Sequence, residues 1–180
     1  MAFDIWRNSS SRFKRFLTIG AFFVLALIIT IAGTLTPLTS EEISSRTQDL
    51  NELRQNVSVQ MIFGNNMMIT MLMFVPVFGP LLGSYVLYNT GLYIGADTAA
   101  TKINISPALV FLTYFIFPFA WLEFIAYSVA FAASVWLTWR IIQRKGKYEL
   151  VRTCIFIAIC AVLLLIGAVI EAMLIGLSPT

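Results

Sequence analysis

Histidine is absent from this 180-residue chain, and charged residues are scarce. Without histidine the sequence lacks the commonest metal ligand and the usual general base, which makes most hydrolytic and metal chemistry improbable. Charged side chains make up 12% of the residues and hydrophobic ones 59%, against about 25% and about 45–50% in soluble domains. So few charges cannot coat a water-soluble globule, and the composition therefore predicts an integral membrane protein.

Cysteine is also rare, with only Cys154 and Cys160. Their spacing makes them face different ways in a helix, so neither a disulfide nor a shared metal site is expected. Thioethers suit Cu(I), but no His or Cys lies near the methionine-rich segment to complete a site at Met67, Met68, Met71 and Met73. We therefore expect no metal and no cofactor. The basic residues form no stripe on one face, so no nucleic-acid partner is expected.

What the chain does have is long apolar segments. Residues 16–35 and 153–177 are each long enough to cross a hydrocarbon layer of ~30 Å. The first follows a basic tail, residues 1–15, and its apolar stretch exceeds that of a signal peptide, so it is predicted to be an uncleaved anchor. A third apolar segment, 61–88, predicts a further span.

The basic residues indicate the orientation of these spans. Four lie in the tail 1–15 and five in the segment 140–152, whereas the loop 36–60 has two. By the positive-inside rule, the N-terminus and the segment 140–152 are cytoplasmic, and the loop 36–60 and the C-terminus are extracytoplasmic. The chain between 60 and 140 must then cross an odd number of times, and its length suits three crossings better than one.

Pro118 supplies the break that an additional crossing needs. It divides the following apolar block into a short helix, 105–117, and a full-length helix, 119–139, with a polar or broken connection at 89–104. A competing path keeps 107–139 as one long kinked helix and lets the connection pass back as a broken segment lined by protein. Both paths predict an all-α fold: a single-domain transmembrane helical bundle with about five crossings, one of them short or broken.

The loop 36–60 is predicted to contain a short amphipathic helix at the outer surface. Thr39 and Glu42 fit a capping box, and Glu42 is spaced i,i+4 from Arg46. A narrow apolar stripe is formed by Ile43, Leu50, Leu53 and Val57. Packing on the bundle and docking of a partner are both consistent with this helix.

Glu123 is the ionisable residue set most deeply in an apolar segment, which makes it the leading functional candidate. No Lys or Arg lies within one helical turn, so Glu123 requires a polar partner from another helix. Asn65, Asn66 and Asn89 are natural partners, because amide side chains form interhelical hydrogen bonds in membranes. A packing role and a role in ion or substrate handling both fit these residues.

Small residues predict close helix contacts in the middle of the chain. Two pairs have the small-xxx-small spacing that lets another backbone approach, Gly79 with Gly83 and Gly91 with Gly95. Pro76 and Pro80 flank the first pair, and they predict that this helix is bent or partly unwound.

The order of these features resembles the stage II sporulation protein M family of multispanning membrane proteins. The resemblance covers nearly the whole chain and rests on "IFGNNMMITMLMF", "LYNTGLYIG" and "IFPFAWLEFIAYSVAF". The positions that match the family's motifs are Asn65, Asn66, Asn89, Gly91, Gly95, Pro118 and Glu123. The chain departs from the family at Phe119 and Ala120, which replace a His and a Gly, and at Thr90, which splits an Asn-Gly pair.

The resemblance implies an integral membrane protein that works in complexes, because the sporulation members look like scaffolds for cell-wall hydrolases. With no catalytic set in the sequence, we predict a non-catalytic membrane subunit or scaffold and not an enzyme. Its expected partners are the lipid bilayer and other membrane subunits, with a copper monooxygenase or a respiratory complex as candidate assemblies. The alternative is a small transporter or channel that uses Glu123 and the asparagines.

Overall fold

A computed structural model describes residues 11–55, 57–101 and 104–176 of the chain. Within these ranges the protein is all-helical, as predicted, with seven α-helices, one 3₁₀-helix and no strand. The elements are α1 (Ser11–Thr34), α2 (Ser40–Gln55), α3 (Val59–Met73), α4 (Gly79–Ala100), α5 (Pro107–Thr113), the 3₁₀-helix Tyr114–Ile116, α6 (Pro118–Ile142) and α7 (Gly146–Gly176). Three described helices are long and apolar enough to cross a membrane: Arg12–Thr34, Pro118–Ile142 and Gly146–Gly176.

The five longer helices of the bundle alternate in direction. Helix α6 runs antiparallel to α1, since Trp136 lies against Arg15 and Phe131 stacks on Phe22. It also runs antiparallel to α7, because the Cys160 Sγ donates to the Ala126 carbonyl while Gly167 lies against Phe119. Helices α3 and α6 are parallel, and so are α1 and α4. The described chain therefore begins and ends at opposite ends of the bundle, and the assignment of those ends to membrane sides stays a prediction from charge.

The segment 61–88, predicted as one span, is divided into two helices in the structure. Helix α3 has 15 residues, about 22 Å at 1.5 Å per residue, and α4 then runs back over 22 residues. The chain reverses because Pro76 lacks an N–H and Val77 adopts a positive φ of 68°. The predicted polar connection 89–104 is also different, since α4 continues as helix to Ala100; Lys102 and Ile103 lie outside the described residues.

The reversal between α3 and α4 is held by side chains of α6. The Val77 N–H donates to the Thr138 Oγ1 at 2.9 Å, and the Ser134 Oγ donates to the Val75 carbonyl at 2.7 Å. The Phe78 N–H bonds to the Pro76 carbonyl at 2.8 Å, which closes a γ-turn around Val77. Backbone groups that a helix would have satisfied are therefore satisfied by a neighbouring helix, as apolar surroundings require.

The second break lies at Phe117. Its extended backbone (φ −96°, ψ 137°) precedes Pro118, which is at the N-terminus of α6, where its missing N–H costs nothing. The 3₁₀-helix before the break is fixed by the Trp121 indole, which donates to the Phe115 carbonyl at 2.8 Å. The rings of Phe23, Phe111 and Phe124 pack around Phe115. This aromatic cluster joins the short segment Pro107–Ile116 to α1 and α6.

Glycines allow α1 and α4 to touch along their backbones. A Cβ added to Gly33 would collide with the Tyr88 carbonyl, and one added to Gly91 would collide with the Thr30 carbonyl. A Cβ on Gly95 would lie 3.0 Å from the Thr34 carbonyl oxygen. Gly91 therefore lies against Gly33 of α1, and Gly95 lies against Thr34 of the same helix. At the other pair, Gly79 faces the backbone of Met73 and Gly83 faces the ring of Phe131.

Charged residues tie the start of α1 to the start of α7. Arg15 donates two hydrogen bonds to the Glu149 carboxylate, at 2.6 Å and 2.7 Å. Glu149 is only 3% exposed, and the Arg140 Nε lies 4.0 Å from it. The Arg15 guanidinium also lies over the Trp136 ring, 4.7 Å from the centroid. This ion cluster connects α1, α6 and α7 at one end of the bundle.

The helix α2 begins with the predicted capping box. The Glu42 carboxylate accepts hydrogen bonds from the Thr39 N–H and hydroxyl, both at 2.8 Å, and the Glu42 N–H donates to the Thr39 Oγ1 at 3.3 Å. The backbone hydrogen bond from Thr39, its hydroxyl and the nearby Arg46 charge lower the pKa of Glu42 below its usual 4.5. The predicted apolar stripe is only partly covered, since Leu53 is 50% exposed.

The lowered pKa of Glu42 predicts that the start of α2 loosens in acid. A carboxyl group whose folded pKa is depressed contributes stability above its unfolded pKa and loses that contribution as pH falls through the folded pKa. A spin label at Ser45 should therefore gain mobility as pH falls below about 4.5. Glu42→Gln is the control, since this variant lacks the titrating group; identical mobility profiles for the two proteins would contradict the prediction.

Candidate functional site

A chain of three polar side chains links α3 and α6 inside the bundle. The Asn66 Nδ2 donates to the Glu123 Oε1 at 2.5 Å, and the Tyr127 hydroxyl donates to the Asn66 Oδ1 at 3.1 Å. The Asn66 amide thus uses its donor and its acceptor at once. We call Asn66, Glu123 and Tyr127 the polar triad.

Helix periodicity explains why these residues meet. Glu123 and Tyr127 are four residues apart on α6, so both side chains lie on the face that meets α3. Asn66 reaches both side chains because α3 packs beside α6 and runs parallel to it. The backbone carbonyl of Asn66 accepts a hydrogen bond from the Thr70 hydroxyl at 2.7 Å. The neighbouring Asn65 points about 100° away around the helix and is exposed.

The last helix closes the third side of the triad. A Cβ at Gly167 of α7 would lie 4.0 Å from the Glu123 Cγ, so the backbone of α7 passes close to this carboxyl group. Glu171 lies four residues, about one helical turn, after Gly167 on α7. Tyr127 is 6% exposed, and Glu123 is half-buried among three helices. A carboxyl group, an amide and a phenol therefore share one interior region, which α7 borders.

The structure brings together some of the predicted site residues and separates the others. Glu123 and Asn66 are hydrogen-bonded as expected, whereas the Asn89 amide donates to the Tyr85 carbonyl of its own helix at 2.9 Å and takes no part in the triad. Tyr127 and Glu171 were not among the predicted site residues. The spacing of Tyr127 four residues after Glu123 is the sequence signal that could have indicated its role.

The residues that replace the family's His and Gly have packing roles. Phe119 stacks on Phe117 with ring centroids 5.9 Å apart, and its carbonyl lies against Gly167. Ala120 is buried. In the part of the chain that the structure describes, no group of three or more His, Cys, Asp or Glu could hold a metal ion. The triad itself offers hydrogen bonding and proton exchange at the Glu123 carboxyl group.

Removing the central amide should destabilise the bundle. Asn66→Ala leaves the Glu123 and Tyr127 groups without their shared partner, and we expect the free energy of unfolding to fall by about 1–3 kcal/mol. Asn65→Ala is a matched control on the adjacent, exposed position, with an expected change within about 0.5 kcal/mol. Unfolding in mixed micelles measures both values. Equal losses in the two variants would mean that the triad contributes nothing specific.

One of the comparisons with known proteins identifies a family. The family model for stage II sporulation protein M matches residues 16–174, which run from within α1 to within α7. Comparison with curated proteins and with solved structures gave no match. Because the matched region covers nearly the whole of this strongly apolar chain, the protein is a membrane protein that belongs to the stage II sporulation protein M family.

Proposed function

We propose that this protein is a non-catalytic scaffold subunit, which uses the surface of α2 to dock another subunit of a membrane complex. The observation that carries the proposal is the way in which α2 is held. A helix as polar as α2 has little reason to stay on an apolar bundle by burial alone, yet polar side chains fix it to α4.

Three contacts hold α2 on the bundle. Arg54 forms two hydrogen bonds with Asp97, at 3.2 Å and 2.9 Å, and the Tyr93 hydroxyl donates to the Asp49 carboxylate at 3.2 Å. The Arg46 guanidinium lies over the Tyr93 ring at 5.0 Å. Side chains of α2 are thus committed to α4, which fixes the position of α2 on the bundle.

A groove of about 560 Å³ lies where α2 meets the end of α4. It is lined by hydroxyl, amide and carboxylate groups and by two apolar side chains: Ser40, Ile43, Ser44, Thr47, Gln48, Asn51, Glu52 and Ala100. This mixture of hydrogen-bonding and apolar groups is typical of protein interfaces. A polypeptide segment of another subunit is the occupant that it suits.

Co-purification tests the proposal with two neighbouring serines. Ser44 lines the groove, whereas Ser45 is exposed beside it. Purified in mild detergent from its own host, the wild type should bring down a second polypeptide in constant ratio. Ser44→Arg should lose that polypeptide and Ser45→Arg should keep it. Recovery of a copper monooxygenase or a respiratory complex would identify the assembly expected from the sequence; recovery of the chain alone would contradict the proposal.

A second function is favoured by one observation, the Glu123 carboxyl group that is hydrogen-bonded to Asn66 inside the bundle and lies against α7, the helix that also carries Glu171. Carboxyl groups gathered inside a helical bundle are typical of ion and proton pathways, so this region supports a small transporter. Reconstitution in liposomes tests it. Glu123→Gln should abolish cation or proton flux and Glu41→Gln, on exposed α2, should not; absence of flux in the wild type would exclude this function.

A further inference from the structure

A cleft lies between α1 and α7 at the end of the bundle that holds the ion cluster. It has a volume of about 230 Å³ and is lined by Arg12, Arg15, Arg152, Ile155 and Phe156. We propose that this cleft binds one anionic glycerophospholipid, with the phosphate between the arginines and an acyl chain along the two apolar residues. The proposal is independent of the docking role of α2, which involves other helices.

The cleft carries more positive charge than its surroundings neutralise. Glu149 is the acidic group beside it, and both of its carboxylate oxygens are engaged by Arg15 at 2.6 Å and 2.7 Å. Arg12 and Arg152 form no ion pair with any residue that the structure describes. Both side chains are exposed and free to turn toward a ligand. Guanidinium groups pair with phosphate through parallel hydrogen bonds, so a phosphate is the anion that this arrangement favours.

The apolar wall distinguishes a lipid from a soluble phosphate. Ile155 is 55% exposed. It lies with Phe156 about one turn after Arg152, where the long apolar part of α7 begins. A soluble anion would gain nothing from these side chains, whereas a lipid places its head group on the arginines and its chain on the apolar wall. Basic pockets between spanning helices are suited to anionic head groups for this reason.

Native mass spectrometry of the full chain in mild detergent tests the proposal. The probes are phosphatidylglycerol, phosphatidylcholine with the same acyl chains, and glycerol 3-phosphate. The wild type should bind one phosphatidylglycerol in preference to phosphatidylcholine. Removing both free arginines, in Arg12→Gln/Arg152→Gln, should weaken phosphatidylglycerol binding about thirty-fold, and Arg152→Gln alone about five-fold.

The matched control removes the same charge at the same end of the bundle. Lys145 and Lys147 are exposed and do not line the cleft, so Lys145→Gln/Lys147→Gln should change the affinity by no more than about two-fold. Phe156→Ala should weaken phosphatidylglycerol binding without changing that of glycerol 3-phosphate. A thermal unfolding midpoint recorded for each variant checks that it is folded.

Three results would overturn the proposal. Unchanged phosphatidylglycerol binding in the double arginine variant and in Arg152→Gln would mean that the cleft does not bind the head group. An equal loss in the lysine control would mean that general surface charge attracts the lipid. The cleft would be a site for a soluble anion if the wild type bound glycerol 3-phosphate tightly and Phe156→Ala left the affinity for phosphatidylglycerol unchanged.

Discussion

Replacing Glu149 with alanine should lower the free energy of unfolding by about 3–5 kcal/mol, the largest loss that we expect from any single substitution. Glu149 is 3% exposed and accepts two hydrogen bonds from Arg15, which is itself 12% exposed. Without the carboxylate, the largely buried Arg15 guanidinium loses its counter-charge, and Arg140, which is 30% exposed, loses its acidic neighbour. The cost arises from that uncompensated charge more than from the lost attraction.

Arg15, the partner of Glu149 in the ion pair, provides an internal control. Arg15→Ala leaves Glu149 with Arg140 at 4.0 Å, so its carboxylate keeps a cation nearby and the loss should be smaller. The double variant Arg15→Met/Glu149→Met removes both charges and keeps the volume, and it should be more stable than Glu149→Ala. Titration with a denaturing detergent measures all three proteins. Equal stability of Glu149→Ala and the wild type would show that the ion cluster does not hold the bundle.

Gly33→Ala and Gly91→Ala should each cost about 3 kcal/mol, at the upper end of the range for overpacking. Each added methyl group meets a backbone carbonyl of the opposing helix, and backbone atoms cannot turn away as a flexible side chain can. Helices α1 and α4 would have to separate along their contact. We therefore expect lower stability together with lost contact between the two helices.

Gly20→Ala is the matched control for this pair. It lies in α1 like Gly33, but nothing is within 4 Å of its added Cβ. The substitution should stabilise the helix by about 0.5–1 kcal/mol, because glycine loses more backbone entropy than alanine. Thermal unfolding in detergent compares the three variants. If Gly33→Ala were as stable as Gly20→Ala, the close approach of α1 and α4 would be wrong.

The sequence was sufficient for features that depend on local chemistry. The capping box at Thr39 and the hydrogen-bonding demand of Glu123 follow from residue type and short spacing. Whether Asn65 or Asn66 is the hydrogen-bond partner of Glu123 depends on which face of α3 lies against α6. Asn89 illustrates the same limit, because its amide is satisfied within its own helix.

Features that depend on distant contacts could not be read from the sequence. The segment 61–88 is uniformly apolar, and its reversal depends on hydrogen bonds from Ser134 and Thr138, about sixty residues away along the chain. In the sequence, Arg15 indicates only the orientation of the first span, because its partner Glu149 lies 134 residues away along the chain. No small residue lies four positions before or after Gly33, so the sequence does not mark it as a packing site. Its close contact with α4 is visible only because Gly91 lies against it in the structure.

The measurement that tests the scaffold function most directly is the native mass of the protein extracted gently from its own host. The account predicts a defined complex that contains this chain and a different polypeptide, and it predicts that Ser44→Arg releases the chain while Ser45→Arg does not. A mass that corresponds to this chain alone, or only to copies of it with lipid, would contradict the account.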